Sequence, residues 1–94
     1  MFLRENAEQE LEEAVQWYNE QRDGLGADLL AEAEDALKVV AGTPFLYPIV
    51  HGNIRRVLLR RFPYGILYKT DEENVVVIAV MHGRRNPRHW RSRV

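Results

Sequence analysis

From Glu5 to Arg22 the apolar residues recur as a single stripe. Ala7, Leu11, Ala14, Val15 and Tyr18 stand at i, i+4, i+7, i+8 and i+11, and the glutamates fall mostly outside it. That spacing predicts an amphipathic helix. Arg22-Asp23-Gly24 breaks the period, and Leu25-Gly26 reopens the chain. A second stripe runs from Ala27 to Ala41, built on Leu30, Ala33, Leu37 and Val40 or Ala41, with Leu29 and Ala36 widening it. Gly42 suits a C-terminal cap, and Pro44 a stop just beyond it. Two helices joined by so short a turn make an antiparallel hairpin.

After Thr43 the period changes. Phe45 to Asn53, FLYPIVHGN, is irregular, with Pro48 and Gly52 as breakers. Ile54 to Phe62 is rich in branched residues and arginine and predicts a strand. Pro63-Tyr64-Gly65 interrupts it, Ile66 to Thr70 resumes as a second strand, and Asp71 to Asn74 is a polar hairpin turn. Val75 to Met81 is almost continuously apolar, which predicts a central strand covered on both faces. Phe2-Leu3-Arg4 has the length for a short edge strand. The order (β)ααβββ is that of an α+β domain, an N-terminal helix hairpin packed on a twisted antiparallel β-sheet. The 94 residues have room for one such domain and contain no repeat or linker.

Composition narrows the chemistry. There is no cysteine, which excludes disulfides and thiolate metal sites and fits a reducing compartment. No stretch approaches the roughly 18 apolar residues of a membrane span. MFLRENAEQE lacks the apolar core of a secretion signal, so a cytoplasmic domain away from membranes is expected. No metal-ligand spacing and no phosphate-cradling glycine loop is present, so no cofactor is expected.

The net charge of −1 conceals a division. Residues 1–40 hold three basic residues against eleven acidic ones, a net of −8, and residues 41–94 hold ten against three, a net of +7. The basic half therefore points toward an anionic partner. Strand alternation puts Arg55, Val57, Leu59 and Arg61 on one face, and Arg56, Leu58 and Arg60 on the other. Arginine stems lie along apolar surface while the guanidinium reaches water, so these groups are expected at strand ends or on the face the helices leave open. HGRRNPRHW, from His82 to Trp90, starts where the last strand ends. With successive hairpins, both basic clusters share one sheet surface. Trp17 and Tyr18 read as core or flank residues, not as a ligand box.

ELEEAVQWY, GLGADLL, TPFLYP, RRVLLRRFPYGILYK and VIAVMHGRRNPRHW, in that order, resemble the RelE/ParE superfamily of toxins from type II toxin–antitoxin modules. The likeness spans about Ala7 to Trp90. It implies a helix hairpin on a twisted antiparallel sheet, neutralised by a cognate antitoxin that wraps the toxin. RelE-like members cut messenger RNA in the ribosome; ParE-like members inhibit DNA gyrase.

Cleavage by a 2′-OH needs a proton acceptor, a proton donor and cations around the phosphate. The RelE-like pattern maps onto Arg56 on a middle strand and Arg84 after the last strand. Its strand-opening arginine falls on Gly65 and its tail tyrosine on Trp90. Glycine offers a phosphate no charge, and an indole N–H is a donor that cannot act as a base. His82 or His89 can substitute as acid or base, since imidazole titrates near neutral pH. The likeness therefore leans to the ParE-like side, with Arg55, Arg56, Arg60, Arg61, Arg84, Arg85, Arg88 and Trp90 as a surface for target or antitoxin. On that reading the module is of the plasmid-stabilisation type, its toxin arrests growth by binding and its target is DNA gyrase. The alternatives are a ribosome-dependent mRNA endoribonuclease (an mRNA interferase) and a non-toxic basic nucleic-acid-binding or interaction module. The antitoxin is expected to bring an acidic and apolar tail to the basic surface.

Overall fold

The structure is a computed structural model that describes residues 1–83. Strand β1 (Phe2–Leu3) leads into α1 (Glu5–Gln21) and α2 (Leu25–Gly42), followed by β2 (Ile49–His51), β3 (Ile54–Leu58), β4 (Tyr64–Asp71) and β5 (Asn74–His82). The five strands form one sheet in the order β1-β5-β4-β3-β2, with β1 parallel to β5 and every other pairing antiparallel. This is the expected α+β architecture, with the helix hairpin on one face of the sheet.

Small residues are buried on both helices, Ala7 and Ala14 on α1 and Gly26 and Ala33 on α2, and at Gly26 the two backbones approach closely. A Cβ at Gly26 would stand 2.3 Å from the Val15 carbonyl oxygen, and the Gly26 N–H donates to Asn19 Oδ1 at 2.7 Å. The second stripe faces the core as its spacing predicts at Ala33, Leu37 and Val40, and departs from it only at Leu30. Leu29, Ala33 and Val40 are buried while Leu30 is 38% exposed, because α2 packs against α1 as well as the sheet.

Beneath the helices, Val57, Leu59, Phe62, Ile66, Tyr68, Val75, Val77 and Val80 complete the main core. On the opposite face Ile54, Leu67, Ile78, Ala79 and Met81 form a second buried cluster. Pairing shifts between Leu67↔Ala79 and Tyr68↔Val77, so Ile78 is the extra residue of a β-bulge. The bulge puts Ile78 and Ala79 together in the second cluster, and β5 is buried on both faces as its continuous apolar run predicts.

Four boundaries differ from expectation. The segment read as irregular contains β2, three residues between Pro48 and Gly52, too short to show a period. The strand expected over Ile54–Phe62 ends at Leu58: the Leu59 N–H still donates to the Tyr64 carbonyl at 2.9 Å, but those of Arg60 and Arg61 turn to Glu32 of α2. Pro63-Tyr64-Gly65 does not interrupt: β4 begins at Tyr64, which pairs with His82. Asp71 pairs with Asn74, so the turn proper is Glu72-Glu73, with Glu72 at φ +57°.

Both outer strands are short, and each helix supplies a glutamate where they stop. β1 reaches only to Val77, and beyond it the Val80 N–H donates to the Glu10 carboxylate at 3.0 Å. β2 covers β3 only as far as Arg55, and the Arg60 and Arg61 N–H groups donate to the Glu32 carboxylate of α2. Unpaired donors of this kind are what make sheet edges sticky.

Tyr68 ties the α2–β2 connection to the core: its hydroxyl donates to the Pro44 carbonyl at 2.6 Å. Burial pushes its phenol above the usual value of 10.0, against the lowering effect of Arg55. Two consequences are measurable. Gly26→Ala forces the helices apart and should cost roughly 1–3 kcal/mol in chemical denaturation, with the fold retained. Because Tyr68 holds its proton more tightly folded than unfolded, its contribution to stability is complete below pH 10.0 and declines as pH rises toward the folded value. Tyr68→Phe should flatten that alkaline decline and cost about 1 kcal/mol at neutral pH.

Candidate binding surface

The arginines of β3 and its exit take three different directions. Arg55 lies on the helix side of the sheet, where its guanidinium donates to the Tyr47 carbonyl at 2.7 Å and the Phe45 carbonyl at 3.2 Å. The guanidinium carbon stands 5.2 Å from the centre of the Phe45 ring. Arg55 is thus engaged in holding the α2–β2 connection.

Arg56 pairs with Leu67 and so belongs to the face away from the helices, where it is exposed. Its stem crosses Gly65. A Cβ there would come within 3.1 Å of Arg56 Cδ and 3.3 Å of Cγ. The glycine that costs the chain a possible phosphate-binding arginine is also what lets Arg56 lie flat over β4.

Arg60 and Arg61 leave the sheet altogether. Their backbone is fastened to Glu32, and the Arg61 guanidinium reaches Asp28 at 3.4 Å with both side chains about half exposed. It also lies 5.6 Å from the centre of the Phe62 ring. An exposed pair of this geometry contributes little to stability, so its effect is to aim the side chain. These four guanidiniums therefore do not converge on one patch. Arg55 is turned inward, Arg56 marks the open face, and Arg60 and Arg61 stand at the α2 side. Arg84, Arg85, Arg88, His89 and Trp90 lie outside the described residues.

His82 is half-buried at the end of β5 and meets Tyr64 edge-on, 5.4 Å between ring centres. It lines a cleft of about 180 Å³ with Glu10, Glu13, Ala14, Trp17, Tyr64 and Val80. The carboxylates that no sequence neighbour offered this histidine come from α1, some seventy positions earlier. His82 pairs with Tyr64 on the helix side, whereas Arg56 is on the other face. A cation and an acid–base group on opposite sides of a sheet cannot attend one phosphate. Among the described residues no group of three or more histidine, aspartate or glutamate side chains is placed to hold a metal ion.

A second groove, about 270 Å³, runs between α2 and the outer edge of β3, with Val39 and Leu58 largely exposed along it and Arg60 and Glu32 at its walls. Phe45 and Leu46, each 66% exposed, belong to the connection that follows α2. This apolar surface was not read from the sequence. Its signal was the Phe-Leu pair held between prolines 44 and 48.

The sequence matches the family described as ParE toxin of type II toxin–antitoxin system, parDE, over residues 1–87. The chain belongs to the ParE toxin family. A chain of the chromosomal ParDE TA system from P. aeruginosa shares the ParE fold with it. The two are 14% identical, with 87% of this chain and 95% of that one covered and a TM-score of 0.63. No curated protein matches the sequence. Among the described residues of this ParE-family chain no helix is long and apolar enough to cross a membrane.

The most local test of this arrangement is at Glu32. Glu32→Ala removes the acceptor of the Arg60 and Arg61 N–H groups. Their amide exchange should accelerate at least ten-fold while that of Val57, inside β3, stays unchanged, at a stability cost of about 1 kcal/mol.

Proposed function

We propose that this ParE-family toxin arrests bacterial growth in the cytoplasm by binding DNA gyrase, and that a cognate antitoxin neutralises it. The observation that favours binding over RNA cleavage is the separation of Arg56 and His82 onto opposite faces of the sheet. Target contact falls to the exposed guanidiniums of Arg56, Arg60 and Arg61, together with the arginines and Trp90 beyond the described residues. Arginine and tryptophan are the side chains that most often carry binding energy. The antitoxin's tail occupies the groove between α2 and β3, with apolar side chains against Val39 and Leu58 and a carboxylate on Arg60.

Induction of the full chain without antitoxin should stop growth, and the purified protein should inhibit gyrase supercoiling. Co-expression of the module's antitoxin should restore both. Growth arrest with intact supercoiling at excess toxin, accompanied by cuts in translated frames on primer extension, would instead make the protein a ribosome-dependent ribonuclease. Salt-dependent nucleic-acid binding without any growth arrest would make it a non-toxic interaction module.

A further inference from the structure

The face of the sheet away from the helices has no second layer among the described residues, yet its centre is shut off from water. Ile54, Leu67, Ile78, Ala79 and Met81 lie there on three adjacent strands, all between 0 and 4% exposed. An antiparallel sheet with one free face ordinarily alternates, apolar inward and polar outward. β5 is buried on both faces instead. The apolar neighbours of the cluster, Val50 and Val76, belong to the sheet itself and are only partly buried.

The remaining side chains of that face do not close it. Cross-strand register puts Arg56, Leu58, Gly65 and Lys69 there. Leu58 is largely exposed, Gly65 has no side chain to offer, and the Arg56 stem is spent over Gly65. Lys69 stands toward the turn, away from Met81. No second molecule contributes to the burial, so the cover comes from the same chain. Residues 84–94 are what remains, and they set out from the right place. The Gly83 N–H donates to the Pro63 carbonyl at 2.6 Å, which starts them beside the Gly65–Met81 end of the cluster. Three strands measure about 10 Å across. Eleven extended residues reach roughly 35 Å, so the length suffices.

We propose that the open face of the sheet is the docking surface for residues 84–94 of this chain, with the Trp90 indole seated on the second buried cluster. Trp90 is the one large apolar side chain of RRNPRHWRSRV. A single indole buries on the order of 150–250 Å², more than any other residue type could give there. The arginines around it can lay their stems on the same surface while their guanidiniums reach water. Folding back in this way carries Arg84, Arg85 and Arg88 to the face on which Arg56 stands. The indole gives one side to the sheet and keeps the other for whatever meets those cations. The cover does not depend on toxicity or on gyrase, and its test involves neither.

The test uses the full chain carrying Trp17→Phe, made by cell-free synthesis with ¹³C-labelled methyl groups, so that Trp90 is its one indole. Nuclear Overhauser contacts should join the Trp90 ring to methyls of Leu67, Ile78 or Met81, and none should reach Val57 on the other face. Trp90 emission should be blue-shifted in the folded protein and move to the red on unfolding. Trp90→Ala should shift those methyl resonances, leave Val57 in place and lower the folded-to-unfolded ratio roughly ten-fold or more. Trp90→Phe should recover most of that loss. Should Trp90→Ala not fold, the contacts in the parent chain decide the matter by themselves. A Trp90 ring without contacts to these methyls would overturn the proposal, as would methyl resonances and stability that Trp90→Ala leaves unmoved.

Discussion

A sheet with short outer strands has backbone donors that nothing in the sheet can satisfy, and this fold depends on how they are met. The two residues of β1 and three of β2 leave parts of β5 and the exit of β3 uncovered. One glutamate from each helix takes those donors: Glu10 at Val80, Glu32 at Arg60 and Arg61. An ionised acceptor makes a stronger hydrogen bond than a carbonyl. Each bond also ties a helix to the sheet, α1 to β5 through Glu10 and α2 to the exit of β3 through Glu32. The acidic charge of the first half is in part the means by which the sheet ends.

That division of labour recasts the charge asymmetry. Two glutamates of the helices, Glu10 and Glu32, are structural at the sheet edges, while others stand exposed on the helix surfaces. The arginines of the second half are likewise split, because Arg55 closes a loop over the core while Arg56, Arg60 and Arg61 stay accessible. A count of charges along the chain sees neither difference. The helices and the long strands were legible from their periods, since an apolar stripe repeated over four turns admits few readings. β2 and the end of β3 were not legible, because β2 is too short to show a period and β3 ends where Glu32, remote in sequence, takes the backbone donors. The same limit applies to His82: its carboxylate neighbours lie on α1, and only the closing of the sheet onto that helix brings them near. The glycine at position 65 was noticed as a missing cation. Its second meaning, room for the Arg56 stem, needed the cross-strand register.

The parallel pairing of β1 with β5 joins Phe2 and Leu3 to Val76 and Val77, nearly the full length of the described chain. Contacts of such sequence separation form late and slowly, since the intervening chain must be ordered first. During synthesis Phe2 and Leu3 wait for Val76 and Val77, more than seventy positions later, before the sheet gains its outer strand. A nascent or prematurely terminated chain that stops short of residue 76 has no site for its own N-terminus. Closure of the sheet is thereby coupled to the synthesis of residues 76 and 77, which leaves an interval in which a partner can meet a chain whose outer strand is not yet in place.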